Sequence, residues 1–452
     1  MIDLRSLAMP LPQDIESHIA AGDWQAAEQM IAARLQLDLP QMQQERLKVA
    51  RFFLGRLRAD YPMDRGQLLT AIREQIPAFD EEDLNGLRDL GWLDSRMIDG
   101  KRMYFEDTVA SLLKANPEFA ARAGKPLSPS RPLLDDAMLE MKRQGSLEVP
   151  MRLQTRMVVK PQARRADTAY RVHLTLPLPA PQQQDVKIED ISPNPQHIGR
   201  ESAAQRTAYF EGQLPEDGAY AASSSWVHRL TYCDPLSLNG QRVLYPQAKA
   251  PTKEDLEPQA PHMLFTPYLV SLCRELAGDE VIPVRKAKRF YDFITGKVLY
   301  SYVRPYLLIE NGAEYAALNL RGDCGLQALL FITLCRIAGI PARWQSGLYA
   351  APGDEGSHDW AWFHTEAWGW LPADCSFGGA ARRGGNAQRR EFYFGNLDPY
   401  RAVFNQQYFG DFQPPRLHMR NDPYDNQRGE IETVDGPLVS TEYSTRHTIT
   451  ML

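Results

Sequence analysis

Apolar residues recur close to the period of an α-helix, about 3.6 residues, over the first stretch of about 120 residues. After the pair Gly22-Asp23, which is typical of a helix start, the apolar positions of the first clear run are Trp24, Ala27, Met30, Ile31 and Leu35. The pattern predicts an N-terminal helical domain over residues 1–125.

Residues 64–106 show a more specific pattern within that domain. Two helical segments are followed by two short strands that would turn at Asp99-Gly100, which resembles a winged helix and raises a DNA-binding interpretation. The segment holds ten acidic and six basic residues, whereas a groove-docking element needs positive charge to neutralise phosphates. We therefore expect no nucleic-acid partner, and interpret the segment as a module for packing or for docking a protein partner.

The periodicity changes after the Pro- and Ser-containing stretch 124–132, which has the composition of a linker. One short helix is expected over Leu133–Arg143. Residues 151–160 and 169–179 then alternate apolar and polar positions in the manner of half-buried strands. The pattern predicts a β-sandwich-like domain over residues 133–250.

A second polar, Pro-containing stretch precedes helices expected from Tyr268 to Ile294. An apolar helix starting near Cys324 and a pair of Trp-rich strands come next. Five of the eight tryptophans lie in or near those strands, and we expect most of them to fill the core. We interpret the Gly- and Arg-rich segment Gly378–Arg390 either as a lid over a cleft or as a surface loop.

Composition and charge then limit the class of protein. The chain has 452 residues, of which 43% are hydrophobic and 24% charged, so it is long enough for two to four folded domains. A formal net charge of -6 offers no general attraction to polyanions or anionic membranes. No apolar run approaches the roughly 18 to 20 residues that cross a bilayer, and the N-terminal residues lack an export-signal pattern. With five widely spaced cysteines and no CxxC pair, we expect a cytoplasmic protein without membrane contact.

Signatures of cofactor chemistry are missing from the sequence. It contains neither a phosphate-binding GxxxxGK[ST] loop nor a GxGxxG turn, and it lacks the HExxH motif of zinc proteases. We expect no cofactor and no metal ion.

Cys324 is the first candidate for chemistry, in the stretch RGDCGLQALLFITLCRIAGIPARW. Apolar positions after it form a helical face and Gly339-Ile340-Pro341 ends the helix, so the helix should begin at the cysteine. Backbone N–H groups and the positive end of the helix dipole favour a thiolate there. Asp323 opposes this unless its carboxylate caps the helix. The residues alone leave open whether Cys324 is a nucleophile or a small core residue.

A histidine and an aspartate that could serve the cysteine lie in GSHDWAWFHTEAWGWLPADCSFG, which reads as a β-hairpin. A turn centred on Glu366 would place His358 directly opposite Asp374, so that the carboxylate could orient the imidazole. A turn centred on Gly369 would place His364 opposite Asp374 instead. The sequence does not exclude either register.

These motifs together resemble the bacterial transglutaminase-like superfamily. The matching blocks are GDCGLQALLFITLCRIAGIPARW, HDWAWF and GWLPADCSFG, with sixteen residues from His358 to Asp374, and REFYFGNLDPYR also looks like family sequence. The resemblance covers roughly residues 255–410. It implies a papain-like triad with Cys324 as nucleophile, His358 as general base and acid, and Asp374 as the orienting carboxylate.

The resemblance also implies a fold and a reaction. We expect a multidomain α+β protein with an N-terminal helical domain, a β-sandwich-like middle domain and a transglutaminase-like catalytic core at 255–452 that carries a C-terminal β extension. The expected activity is acyl transfer through a Cys324 thioester, most simply that of a peptidase or amidase acting on peptide or isopeptide amides. Two alternatives remain open, namely a protein-crosslinking transglutaminase and a non-catalytic binding scaffold.

Overall fold

Helices dominate the N-terminal region of the computed structural model, which describes residues 6–7, 9–128, 130–237, 241–418, 420, 424–439 and 441–452. The elements of this region are α1 (Gln13–Ala21), α2 (Trp24–Arg34), α3 (Gln41–Asp60), α4 (Arg65–Arg73), α5 (Glu81–Asp89), β1 (Ser95–Ile98), β2 (Lys101–Tyr104), α6 (Thr108–Ala115) and α7 (Pro117–Arg122). Asp23, Asp64 and Asp80 cap the starts of α2, α4 and α5 by accepting backbone N–H groups. The predicted helical character of this region is confirmed.

The segment 64–106 forms the two helices and the hairpin that its pattern predicts. The hairpin turns at Asp99 and Gly100, both with positive φ. The Asp99 carboxylate accepts hydrogen bonds of 3.0 Å from the backbone N–H groups of Trp24 and Gln25, at the start of α2. The turn is therefore held against the start of α2 while its own residues stay exposed. A protein partner for this module stays a prediction.

The middle region is built from strands after a single helix. Its elements are α8 (Pro132–Gln144), β3 (Ser146–Val159), β4 (Tyr170–Thr175), β5 (Gln183–Ser192), β6 (His197–Ile198), β7 (Thr207–Gly212) and β8 (Ala219–Thr231). Near the end of the chain come β15 (Glu430–Thr433), β16 (Gly436–Pro437) and β17 (Tyr443–Met451). One sheet has the order β16-β15-β4-β7-β6 and the other β17-β3-β8-β5.

These two sheets share a buried apolar cluster that includes Met157, Val172, Phe210 and Ile431. Shared burial of inward side chains is what holds a β-sandwich together. The C-terminal β extension, which the sequence placed with the catalytic core, pairs with the sandwich: β17 runs along β3 from Tyr443 to Met451, and β15 pairs with β4. The polypeptide thus returns to the middle region after passing through the core.

The core lies between these strand regions in the sequence. Its elements are α9 (Pro267–Ala277), α10 (Pro283–Lys297), β9 (Leu299–Tyr300), α11 (Gly312–Asn319), β10 (Arg321–Gly322), α12 (Cys324–Ile337), β11 (Ala342–Ala351), β12 (Asp354–Thr365), β13 (Gly369–Ala373), α13 (Cys375–Arg383), α14 (Ala387–Phe392) and β14 (Arg401–Asn405). The sheet order is β13-β12-β11-β14. Helix α12 is buried along almost its whole length and packs on β12.

The tryptophans and the Gly- and Arg-rich segment of the core were both interpreted from the sequence, and the structure agrees with only the first interpretation. The five tryptophans Trp344, Trp360, Trp362, Trp368 and Trp370 are all buried, as expected. The interpretation of Gly378–Arg390 as a surface loop is wrong, because the segment forms most of α13 and the first part of α14. Its role as a lid stays a prediction. Its glycines serve close packing, since a Cβ at Gly378 would collide with the Tyr291 hydroxyl.

The N-terminal helices pack directly on the core. The buried Arg304 guanidinium lies 4.8 Å from the Tyr315 ring centroid and donates to the Tyr61 hydroxyl at 3.3 Å. The Ser111 Oγ accepts a hydrogen bond of 3.0 Å from the Tyr302 N–H. One continuous apolar cluster includes residues of both regions. In the described part of the chain, every helix is too short or too polar to cross a bilayer.

Buried histidines make the fold sensitive to acid. Burial lowers the pKa of His173 and His262 to about 3, and that of His228 and His447 to about 4. In the unfolded chain each should titrate near about 6.5. Between these values the unfolded state binds protons that the native state does not, so stability falls as pH falls. We expect Tm to drop on the order of 10 °C from pH 7 to pH 5, measured by thermal unfolding.

The matched control for this prediction is His197→Asn, because His197 is exposed on β6. This variant should show the same pH dependence of Tm as the unchanged chain. A Tm that stays constant from pH 7 to pH 5 in both proteins would contradict the assignment of neutral buried histidines.

Candidate functional site

Helix α12 begins at Cys324, as the sequence predicts. The Asp323 carboxylate caps it: Oδ1 accepts hydrogen bonds from the Leu326 N–H at 3.1 Å and from the Tyr306 hydroxyl at 2.7 Å. Capping turns this carboxylate toward the helix N–H groups. Cys324 is partly exposed, whereas the other four cysteines are buried free thiols. The cysteine that could react is thus the one at the helix start.

Gly325 follows Cys324 at a point of close packing. A Cβ at this position would collide with the Tyr306 hydroxyl and lie 2.8 Å from Asp359 Oδ2. Only glycine lets α12 approach strand β12 this closely. The glycine therefore sets the distance between the cysteine and the strand that carries His358.

His358 and Asp374 are joined by a hydrogen bond of 2.7 Å between Nε2 and Oδ2, and both side chains are buried. Neither register considered from the sequence is the one observed. Strand pairing aligns Trp362 with Pro372 and His364 with Trp370, so the turn is centred on Ala367. If the same pairing is extended beyond the end of β13, Asp374 lies opposite Trp360. His358 is two residues from Trp360 on the same strand, so the Asp374 carboxylate contacts it as a diagonal neighbour.

His364 plays no part in this pair. Its ring lies 5.3 Å from the Trp370 ring, between centroids, and the side chain is only partly buried. The alternative in which His364 faces Asp374 is wrong.

Asp374 is held by more than the histidine. Arg401 on β14 donates from a terminal guanidinium nitrogen to Asp374 Oδ2 at 2.7 Å, and the Phe377 N–H donates to Oδ1 at 2.8 Å. Burial by itself raises the pKa of this carboxyl, but His358 and Arg401 more than offset it and hold the pKa at about 2. Asp374 is therefore a carboxylate at any pH at which the protein would work.

Arg401 is a residue that sequence reasoning missed. Its guanidinium is fully buried, bridges Asp374 and Asp398, and packs 4.5 Å from the Phe377 ring centroid. The motif NLDPYR belongs to a block that resembles family sequence, but the resemblance assigns no role to its arginine. A buried charge needs a partner, but nothing local indicates that the partner lies 27 residues earlier in the sequence.

The surroundings of His358 favour its neutral form. Burial lowers its pKa, and Asp374 opposes this without reversing it. The ring is packed against Phe377, with 4.5 Å between centroids. Since Nε2 is engaged with Asp374, Nδ1 is the nitrogen available to take a proton from a thiol.

The Cys324 thiol makes its hydrogen bond with a different residue. Sγ donates to Asp359 Oδ2 at 3.3 Å, and Asp359 immediately follows His358 on β12. Burial, Asp359 and Asp323 raise the pKa of this thiol well above its usual value. The structure thus joins His358 to Asp374, and places Cys324 against the neighbouring carboxylate without a hydrogen bond to the histidine.

A lysine from the N-terminal region contributes a positive charge to the surroundings of the thiol. Lys114 Nζ donates to the hydroxyls of Tyr300 and Tyr302 at 3.1 and 3.4 Å and lies 4.5 Å from the Tyr300 ring centroid. Strand β9, which carries Tyr300, pairs with β10 just before Cys324. Helix α6 thereby brings a positive charge toward the thiol of Cys324. No sequence motif indicated this lysine.

Replacing Lys114 with methionine should make the thiol less reactive. The lysine charge lowers the pKa of Cys324, against the stronger effects of burial and the two carboxylates. Without it, the thiolate fraction at pH 8 should fall a few-fold, as measured by the rate of iodoacetamide alkylation of Cys324 using peptide mass spectrometry. Lys125→Met, at an exposed position of the same region, is the control. Equal alkylation rates in all three proteins would contradict the assignment.

No metal centre accompanies these residues. Across the described residues, no three or more His, Cys, Asp or Glu side chains are grouped so as to hold an ion.

Comparison with known proteins supplies one family match. Residues 270–375 match the family model described as Transglutaminase-like superfamily. The matched range includes Cys324, His358 and Asp374. No curated protein matches the sequence.

Solved structures share only low similarity with this chain. A candidate cysteine protease from Cytophaga hutchinsonii is 15% identical, over 68% of this chain and 93% of its own, with a TM-score of 0.40. The periplasmic domain of TgpA from Pseudomonas aeruginosa is 16% identical, over 56% of this chain and 95% of its own, with a TM-score of 0.28.

Proposed function

Because the chain contains a transglutaminase-like superfamily domain at residues 270–375, we propose that it is a cysteine-dependent acyl-transfer enzyme, a peptidase or amidase that cleaves peptide or isopeptide amides through a Cys324 thioester. The observation that carries the proposal is the buried His358–Asp374 hydrogen bond, together with a partly exposed cysteine at the start of α12, the helix that packs on the strand carrying His358. A binding scaffold would have no need for a partly exposed thiol at this helix start.

In the proposed reaction His358 Nδ1 takes the proton of Cys324, and the thiolate attacks the amide carbonyl carbon. The negative charge on the carbonyl oxygen is stabilised by the Cys324 backbone N–H at the start of α12. The imidazolium then protonates the leaving nitrogen as the C–N bond breaks, which leaves a thioester and a free amine. Asp374, ionised with a pKa of about 2, orients the imidazole and stabilises its charged form.

The second half of the reaction resolves the thioester. Water, deprotonated by His358, attacks the thioester carbon, and the released Cys324 takes the proton back as the carboxylic acid leaves. An amine attacking in place of water would form a new amide, which is the crosslinking alternative. The two outcomes use the same three residues and differ only in the acceptor.

A substrate panel tests the proposal. Peptide and isopeptide amides are incubated with the unchanged chain and with the His358→Ala variant. Each incubation is done with and without a primary amine such as methylamine, and the products are identified by mass spectrometry. Free acid plus released amine supports hydrolysis, and methylamide product in excess of acid supports crosslinking instead. If no amide is turned over, or if both proteins give the same products, the enzyme proposal fails and the scaffold is favoured.

A reducing compartment such as the cytoplasm is part of the proposal. It is supported by the five free thiols, because the nucleophile must stay reduced to act. Cell fractionation followed by immunodetection tests it, and recovery of the protein outside the cytoplasmic fraction would contradict it.

A further inference from the structure

The thiol of Cys324 is held by Asp359, a residue to which the reaction proposed above gives no role. Asp359 is only 5% exposed, and its Oδ2 accepts the thiol hydrogen bond at 3.3 Å. Successive residues of a strand point to opposite faces, so Asp359 lies on the other face of β12 from His358. In this arrangement the thiol is on the carboxylate side of the strand.

The position of the Asp359 carboxylate is fixed from a distant part of the chain. Gln427 Nε2 donates to Asp359 Oδ1 at 2.6 Å and to the His358 carbonyl oxygen at 3.2 Å. Gln427 lies in the segment that leads into β15 of the sandwich. With one oxygen held by Gln427, the other oxygen faces Cys324.

We infer that Asp359 is a positioning residue for the nucleophile: its carboxylate, fixed by Gln427, holds the Cys324 thiol in its protonated form on the opposite face of β12 from His358. This inference rests on the proposed function, in which Cys324 must reach His358 to react. The arrangement is a resting form, and the thiol leaves Asp359 when His358 takes its proton.

The charges around the thiol are consistent with this role. The groups that face it are Asp359 on β12, Asp323 at the start of α12, Lys114 on α6, Tyr300 on β9 and the Tyr306 hydroxyl. Of the two carboxylates, Asp323 is occupied with the helix N–H groups and the Tyr306 hydroxyl. Asp359 is the one whose oxygen contacts the sulfur, and an ionised carboxylate in contact opposes formation of the thiolate.

The test replaces Asp359 with asparagine, which keeps the shape and removes the charge. Its amide oxygen can face Gln427 while its N–H group faces the sulfur, an arrangement that favours thiolate. We expect the iodoacetamide alkylation rate of Cys324 at pH 7 to rise roughly tenfold or more, which corresponds to a fall of about one unit in the thiol pKa. The acid limb of the kcat/KM profile for an amide substrate should shift to lower pH by the same amount.

Two further variants complete the design. Asp354→Asn makes the same chemical change at an exposed position of the same strand and should leave the alkylation profile unchanged. Gln427→Met releases the second oxygen of Asp359, so it should accelerate alkylation in the same direction by a smaller factor. It also supplies the test if Asp359→Asn fails to fold.

The outcomes separate this inference from the proposed function. If Asp359→Asn and Gln427→Met alkylate with the same pH profile as the unchanged chain, the positioning role is overturned whatever the turnover. A purely structural role would lower Tm without moving that profile. If alkylation accelerates but no amide is cleaved by any protein, Asp359 holds the thiol as inferred and the proposed function fails instead.

Discussion

Replacing Cys324 with alanine should reduce kcat/KM for an amide substrate by roughly 10⁴-fold or more, because removal of a nucleophile eliminates the covalent pathway and leaves only what binding and the remaining groups provide. The fold should be nearly unaffected, since the side chain is small and partly exposed. Initial rates and thermal unfolding are measured on the same preparation. Unchanged Tm with lost activity would assign the loss to chemistry.

Cys335 is the matched control, because it lies on the same helix and is fully buried in the core. Cys335→Ala removes a buried sulfur and should cost about 1 kcal/mol of stability while keeping kcat/KM within a few-fold. An active Cys324→Ala variant would rule out the thioester. A Cys335→Ala variant that is stable but inactive would contradict the assignment of that thiol to the core.

Arg401→Met should be the most destabilising single change proposed for the site, lowering the free energy of unfolding by about 3–5 kcal/mol at pH 7. The guanidinium is 0% exposed and pairs with Asp374 and Asp398 at 2.7 Å. Removing it leaves two buried carboxylates without their cation, which is far more costly than the loss of the attraction alone. Denaturant unfolding at pH 7 measures the effect.

The pH dependence of that loss distinguishes charge from packing. In the unchanged chain the folded pKa of Asp374 is about 2, so its contribution to stability is present at neutral pH and lost as pH falls toward 2. Without Arg401 the folded pKa rises, so the variant should lose less stability than the unchanged chain on acidification. The stability gap should therefore narrow between pH 7 and pH 3, mostly below about pH 4, where Asp374 of the unfolded chain takes up its proton.

A surface arginine provides the control for Arg401. Arg156 pairs with Asp217 at 2.8 Å, and both side chains are more than half exposed. Arg156→Met should change stability by less than about 1 kcal/mol at either pH. Two results would contradict the view that buried charges cause the destabilisation of Arg401→Met. One is an equal loss of unfolding free energy in the two variants, and the other is a loss in Arg401→Met that does not change with pH.

Local patterns predicted the elements of this protein well. The start of α12 at Cys324, its end before Gly339 and the Trp-rich hairpin all follow from periodicity, a capping residue and turn residues. The error over Gly378–Arg390 has a physical cause. Glycine weakens a helix by about 1 kcal/mol per residue in isolation, but here Gly378 and Gly379 are buried and allow α13 to pack closely on its neighbours.

The sequence did not determine the register of the strands. The predicted pairing of His358 with Asp374 depended on where the turn is centred, and Thr365-Glu366-Ala367 contains no turn-specific glycine or proline to fix it. The observed register differs from both candidates, yet the two side chains meet because a diagonal pair lies within reach of an imidazole and a carboxylate. The pairing of β17 with β3, nearly 300 residues apart, was likewise indicated by no local signal.

By itself, the sequence determined the order of the elements, the helix start that carries Cys324, and the choice of His358 and Asp374 as residues of one hairpin, because each depends on neighbours within about 20 residues. Only the tertiary structure decided that Arg401 holds Asp374, that Asp359 and Gln427 hold the thiol, and that Lys114 approaches it from the N-terminal helices. The reason is physical. The state of a buried charge or thiol depends on which groups surround it in space, and here those groups come from elements far apart in the chain.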